Sequence, residues 1–495
     1  VAVIRNSIVL FAAAAVIVAC TTITDEPELP GAGPIVHELE TEEQQSTFGM
    51  VAAANTESSE IAVEILEAGG NAVDAAVAAA FALGVSDPGD GGLGGAIYIL
   101  IRFADGRSTV IDGSAVVPLR VDRERLRAVQ AAKAESGIEL AAVPGSLAAL
   151  AHAAERYGTR PLPDLINPSI ELAKRGYRAT PFQEVSIRTY FEDVLRSDYL
   201  RYFMLDNGEE PPSVETLQCR PVLANTLRRI MVGGTEEFYR GSIADEIESD
   251  MEERGGSIDR DDLALLRVRE LEPLRGSYRN VEVLAVPYPS LGGAVIQALN
   301  ILEQYPSDFL DLDSLDRLQV LPEAFHIAIA DHERVEGSQS SITRIGRQQL
   351  LTKEFAAERA ALIELGQALV NDEFPADQEH LSTVGNTAQV SVVDRWGNAV
   401  SLTHTLGRFY GNKFANPSLG FPYNSLLEGV SDPKARSSIP TSMCPTIVVR
   451  DGEVLLVLGS GASNRIPGIV ATVISNVVDR KLDLGGAVLA PRVLW

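Results

Sequence analysis

Apolar positions between residues 60 and 83 recur at helical spacing. Glu60-Ile61-Ala62-Val63-Glu64-Ile65-Leu66-Glu67-Ala68 reads as a helix with Ser58 or Ser59 as its cap and Gly69-Gly70 as its stop. Asn71 to Leu83 is an almost uncharged Ala/Val run, which predicts a helix buried on most sides. The glycine cluster Gly89-Asp90-Gly91-Gly92-Leu93-Gly94-Gly95 follows, then a strand over Ala96 to Ile101. Asp105-Gly106 turns the chain into a second strand over Ser108 to Asp112. Amphipathic helices alternate with short loops from about 140 to 370, and Pro287-Tyr288-Pro289-Ser290-Leu291-Gly292-Gly293 marks a tight turn before an apolar helix. From 387 onward the period becomes two. No internal repeat or low-complexity linker divides the chain, which reads as one interleaved α/β body.

The clearest alternation spans Asn386 to Asp394 and Asn398 to Thr405, joined through Arg395-Trp396-Gly397 as a hairpin. If Asp394 faces Asn398, Thr387 lies opposite Thr405, Gln389 opposite Thr403 and Ser391 opposite Ser401. Period two then puts these hydroxyl and amide groups on one face, with Val390, Val392, Val400 and Leu402 on the other. Such a polar face is either solvated or carries chemistry. In the second case cleavage after Asn386 would make Thr387 an N-terminus. Its own α-amino group, with a reference pKa of about 7.7–8, would serve as base to the weakly nucleophilic hydroxyl, and Thr405 could orient the attacking oxygen.

Composition narrows the alternatives. The 495 residues are 45% apolar, which excludes a disordered or collagen-like chain. Lys+Arg 42 against Asp+Glu 68 gives a net charge of −26, and so acidic a surface repels phosphate backbones, excluding nucleic acid as the expected partner. Three cysteines make no disulfide framework and no C-x-x-C pair. Arg5 followed by the apolar run Ile8 to Ala19 suits a secretory signal better than a membrane span. That run ends Ile17-Val18-Ala19-Cys20, which is similar to a bacterial lipobox. Residues 1–20 are therefore read as a signal peptide with Cys20 lipidated, and 21–45 as a polar tether. The expectation is an exported protein of the periplasm or cell envelope, touching the membrane through its lipid anchor only. Whether Cys219 and Cys444 pair stays open.

Two further segments could carry chemistry. Val454 to Leu458, Gly459-Ser460-Gly461-Ala462-Ser463 and the apolar run from Ile466 form strand, glycine turn and helix start. That arrangement aims N–H groups at one point and suits an oxyanion or a phosphate, or is simply a tight connection. Thr441-Ser442, between Pro440 and Pro445, could bind a carboxylate or merely open a strand. Neither glycine cluster matches G-x-G-x-x-G, and no Walker-type lysine follows. Tyr288 breaks the G-x-S-x-G elbow, and the six histidines form no H-E-x-x-H, so no metal and no cofactor are expected.

Taken with Gly49-Met50-Val51-Ala52-Ala53, Gly69 to Ala76, Ala142-Val143-Pro144-Gly145-Ser146, Phe238-Tyr239-Arg240-Gly241 and Pro289 to Gly293, these segments resemble the γ-glutamyltranspeptidase (glutathione hydrolase) family of N-terminal-nucleophile hydrolases. The resemblance implies a four-layer αββα sandwich, here short of the family's last C-terminal elements because the sequence stops at Trp495. It implies self-cleavage between Asn386 and Thr387 into a large chain (46–386) and a small chain (387–495) that are each other's partners. Thr387 would attack a γ-glutamyl or related amide, and water or an amine would resolve the acyl-enzyme. By the same resemblance Thr405 supports the nucleophile, Ala462 and Ser463 replace paired glycines that hold the oxyanion, and Thr441 and Ser442 replace two serines that hold the α-carboxylate. Ser114 stands where an arginine would hold that carboxylate. Gly407 replaces an asparagine, while Leu426 and Gly429 stand where a Glu or Gln and an Asp would hold the α-amino group. Charged hydrogen bonds are worth about 1.5–3 kcal/mol each, so weak γ-glutamyl activity or a different acyl group, such as a dicarboxylic acyl chain, is expected. The rival expectation is a catalytically inactive relative kept as a periplasmic binding or scaffolding lipoprotein.

Overall fold

Alternating segments build two main antiparallel sheets, beside a two-stranded ribbon of Tyr177–Arg178 and Leu217–Gln218, in the computed structural model. It describes residues 46–493 apart from 133–135, 197–199, 202–203, 206–207, 215, 312–314, 338–345 and 370–385. The expected leader, Cys20 and the tether lie outside the described residues. In chain order the sheet strands are β1 (Gly49–Ala53), β2 (Ala96–Arg102), β3 (Ser108–Gly113), β4 (Arg269–Leu271) and β5 (Leu274–Tyr278). They continue with β6 (Val281–Ala285), β7 (Asn386–Asp394), β8 (Ala399–Gly407), β9 (Thr446–Arg450) and β10 (Glu453–Leu458). The larger sheet runs β1-β7-β8-β2-β3-β4 and the smaller β10-β9-β6-β5. The β7–β8 register pairs Thr387 with Thr405, Gln389 with Thr403 and Ser391 with Ser401, as alternation predicts.

Which way each strand face points follows from its residues. Val390, Val392, Val400, Leu402, Ile97, Ile99 and Ile111 share a core with the helices Ala72–Ser86, Ser146–Tyr157 and Leu162–Arg175. The opposite face, with Tyr98, Leu100 and Val110, packs on Leu284, Ile447, Val449 and Val457 of the smaller sheet. Val283, Val448 and Leu456 on that sheet's far side meet the helices Gly292–Leu302, Leu315–Gly337 and Ile466–Val478. Helix, sheet, sheet and helix are therefore stacked in the expected order, because each sheet carries apolar residues on both of its faces and these cannot be left to water.

The first two helices form where expected, with one change of cap. Helix Thr56–Glu67 is capped by Asn55, whose side chain accepts from Ser58 N at 3.0 Å; Ser58 and Ser59 fall inside the first turn. Helix Ala72–Ser86 has a reciprocal capping box between Asn71 and Asp74. The middle of the chain departs further from expectation, since β4, β5 and β6 interrupt a stretch read as helices and loops. These strands are only three to five residues long, and Gly276, Arg275 and Glu282 blur their alternation. Cys219 is exposed and Cys444 buried, both as free thiols, so the possible disulfide is not formed.

Candidate active site

The polar face of the β7–β8 hairpin is buried between the sheets, which removes the solvated alternative. Gln389 sits at its centre: its amide donates to Ser401 Oγ at 2.9 Å and Ser391 Oγ at 3.1 Å, and accepts from Thr403 Oγ1 at 2.6 Å. Ser401 Oγ donates in turn to the Leu458 carbonyl at 2.8 Å, tying β10 to the hairpin. A side chain at Gly459 would collide with the Gln389 amide, so glycine alone lets the following turn descend. That turn reaches the first residues of β7, where a Cβ on Gly461 would stand 2.5 Å from the Thr387 carbonyl oxygen.

At that end three groups form a short chain of hydrogen bonds. Thr387 Oγ1 donates to Thr405 Oγ1 at 3.2 Å, and Thr405 Oγ1 donates to the Asn386 carbonyl at 2.7 Å. Gly407 N donates to Thr405 Oγ1 at 3.0 Å. One threonine thus touches the hydroxyl and the carbonyl on the two sides of the Asn386–Thr387 bond. Gly407 pairs with Asn386 across a register shift after Thr405, and its φ of +90° is a conformation that glycine takes without strain.

Ala462 and Ser463 end the overlying turn with φ of +115° and +53°, uncommon for residues with a side chain. Among the described residues neither N–H is engaged in a hydrogen bond. Strain of this kind, next to unoccupied donors, is the arrangement expected of an anion-binding turn.

Ser114 lies in the same row. Thr405 pairs with Ala96 and Ile97 with Gly113, so one residue further Ser114 falls opposite Ala96, on the face that carries Thr387 and Thr405. Three strand spacings separate it from Thr387, about 14 Å at roughly 4.8 Å each. Its N–H donates to Asp112 Oδ1 at 2.8 Å, and Asp112 pairs with Arg269. The Ser114 hydroxyl faces the Tyr98 phenol, whose pKa is pushed up by burial and by Asp112. Ile439 N bonds the Ala115 carbonyl at 3.0 Å, so the segment that leads to Thr441 and Ser442 runs beside the residue after Ser114, while Thr441 N itself bonds the Pro289 carbonyl at 2.9 Å. Thr441 Oγ1 is engaged by Met443 N at 3.2 Å, while the Ser442 hydroxyl has no hydrogen bond among the described residues. At the other rim Arg408 holds Glu428 through Nε at 2.6 Å and through Nη2, and Leu426 and Gly429 flank that pair without a charge of their own.

Asp90 was not singled out by the sequence reading, although a carboxylate inside a glycine run was the signal available. It is 7% exposed, one carboxyl oxygen has no partner among the described residues, and the group lies within reach of the Asn386 side chain. Burial raises its pKa to about 7, partly opposed by that contact.

The chain is similar to known proteins along most of its length. The family model for gamma-glutamyltranspeptidase matches residues 58–495. The glutathione hydrolase proenzyme of Escherichia coli (strain K12) is 32% identical over 90% of this chain and 80% of its own length. The acylase ACY 1 proenzyme of Pseudomonas sp. (strain SE83) is 34% identical over 90% and 82%. Among solved structures, cephalosporin acylase from Bacillus halodurans superposes with a TM-score of 0.79 at 26% identity, covering 93% of this chain and 86% of that one. Helicobacter pylori gamma-glutamyltranspeptidase gives 0.60 at 29% identity, covering 67% and 95%. With a family match spanning nearly all the described residues, and sequence relatives named as a hydrolase and an acylase, the chain belongs to the γ-glutamyltranspeptidase family of hydrolytic enzymes.

Proposed function

We propose that the chain is a proenzyme that cleaves itself between Asn386 and Thr387 and then uses Thr387 to open an amide. The observation that carries this reading is the pair of bonds made by Thr405, one to the Thr387 hydroxyl and one to the Asn386 carbonyl. In the uncut chain the Thr387 oxygen attacks the Asn386 carbonyl carbon, and Thr405 hydrogen-bonds the oxygen on which negative charge grows. The C–N bond breaks as the proton given up by the Thr387 hydroxyl passes to the Thr387 nitrogen, and water hydrolyses the resulting ester to an Asn386 carboxylate and the free Thr387 hydroxyl. The freed amine then becomes the base for the Thr387 hydroxyl. The unengaged N–H groups of Ala462 and Ser463 supply the oxyanion donors for substrate. Intact mass of the full chain beside its Thr387→Ala variant tests this: a fragment beginning at Thr387 is expected in the first and absent in the second. An uncut, folded wild type sinks the reading and leaves the binding-protein alternative.

The acyl group is proposed to differ from glutamyl. Ser114 is too short to span the distance from its row position to a substrate on Thr387, and its hydroxyl faces Tyr98. No carboxylate replaces the α-amino holder at Leu426 or Gly429, and the neighbouring Glu428 is neutralised by Arg408. A dicarboxylic acyl chain without an α-amino group fits this rim better than γ-glutamyl does. Faster turnover of glutaryl-p-nitroanilide than of γ-glutamyl-p-nitroanilide is expected, and the reverse order overturns the proposal. The acylase named among the relatives supports it by analogy. Export and a lipid anchor at Cys20 are proposed from the sequence alone, to be tested by labelling cells with a fatty-acid analogue.

A further inference from the structure

The glycine cluster at 89–95 wraps the end of β8. Tyr410 N bonds the Gly89 carbonyl at 2.9 Å, and a Cβ at Gly91 would stand 3.0 Å from the His404 ring. At Gly95 it would run into the Thr405 carbonyl. The wrap therefore has no room for a side chain at Gly91 or Gly95, yet Asp90 beside them places a buried carboxyl there, with one oxygen unpartnered among the described residues and the Asn386 side chain within hydrogen-bonding reach of the group. The Asp90 N–H already closes the turn on the Asp87 carbonyl at 3.1 Å, so the local backbone does not need the carboxyl. We propose that Asp90 is a positioning residue for self-cleavage, its carboxylate accepting from the Asn386 side-chain amide and so keeping the Asn386 carbonyl on the Thr405 hydroxyl. This rests on the self-cleavage reading. Asp90 neither gains nor loses atoms in the step, since the Thr387 hydroxyl is held by Thr405.

Burial lifts Asp90 to about 7, so the ionised form that grips Asn386 grows as pH rises through neutrality. The titratable groups around it are Asp87 on the same loop and the Tyr410 phenol after β8, with Tyr177 and Arg220 beyond them. The His404 ring from β8 stays neutral.

The test follows the fragment starting at Thr387 over time after brief cell-free synthesis of the full chain, at pH values on both sides of 7. Wild type should cleave faster as pH rises through about 7. Asp90→Asn should slow cleavage at least about tenfold, the loss of a charged hydrogen bond, and remove the pH dependence. In an Asn386→Ala background it should add no further loss. Asn386→Asp leaves the loop untouched and sets two carboxyls against each other, so its cleavage should fall as pH rises, opposite to wild type. Asp90→Asn at the wild-type rate, equal slowing in both backgrounds, or an Asn386→Asp profile like wild type overturns the assignment while self-cleavage stands. Absence of any wild-type cleavage overturns both.

Discussion

Replacing Thr405 by valine keeps the shape of the side chain and removes the one atom that three groups share. Thr405 Oγ1 accepts from Thr387 at 3.2 Å and from Gly407 N at 3.0 Å, and donates to the Asn386 carbonyl at 2.7 Å. Loss of the acceptor leaves the half-buried Gly407 N–H without its partner, a cost to stability of about 1 kcal/mol and at most about 3. Loss of the donor removes the group facing the oxygen that becomes negative in self-cleavage. Removal of one such donor typically lowers a rate by about 10²–10³. Thr405→Ser retains all three bonds and should stay within severalfold of wild type. The two effects are separable. Stability is read by urea unfolding in a Thr387→Ala background, where no cleavage confuses the transition, and rate by the appearance of the fragment beginning at Thr387. A rate loss near hundredfold with a stability loss near 1 kcal/mol is expected for valine. If the valine variant cleaves as fast as the serine variant, the hydrogen bond to Asn386 is a packing detail and the account of the site fails.

Ala462→Gly and Ser463→Gly should each stabilise the uncut chain. A left-handed conformation costs a residue with a side chain about 1–2 kcal/mol, partly offset by the roughly 0.4–1 kcal/mol that glycine gains in the unfolded state. A lower urea midpoint for both would show that the φ values of +115° and +53° are not strained. Gly407→Asn should instead destabilise the fold by about 1–3 kcal/mol and leave γ-glutamyl turnover unimproved. Its Cβ would stand 2.6 Å from Ser425 Oγ, which accepts from Arg408 N; better turnover at unchanged melting temperature contradicts this. The buried His404 has its pKa lowered to about 4 by desolvation, against 6.5 ordinarily. The unfolded chain therefore binds that proton first as pH falls, and native stability drops between about 6.5 and 4. His404→Gln should remove up to about 1.4 kcal/mol per pH unit of that slope, read from urea unfolding at several pH values. An unchanged slope would mean the ring is already protonated in the fold.

Much of this protein was legible in its residues because period and glycine placement are local properties. The alternation from Asn386 to Thr405 fixed a two-residue repeat, and with it the partners of Thr387, Gln389 and Ser391. The nearly uncharged run after Asn71 reads as a buried helix, and Gly459-Ser460-Gly461 after Leu458 as a tight turn. Strands β4 to β6 were not legible, since short half-exposed segments with Arg275 and Gly276 hold their conformation through neighbours rather than through pattern. Burial of the hydroxyl face was also not legible, because a row of Ser, Thr and Gln suits water as well as a second sheet. Closure of the two sheets decided it, by giving Gln389 partners on both strands and Ser401 a carbonyl on β10. Asp90 lies 296 positions from Asn386 in sequence, and only the wrap of the glycine loop around β8 makes them neighbours. The sequence by itself determined which groups share a strand face, because that depends on bonds between adjacent residues. Which groups meet across the fold, and whether water reaches them, was decided by packing between elements that no local pattern encodes.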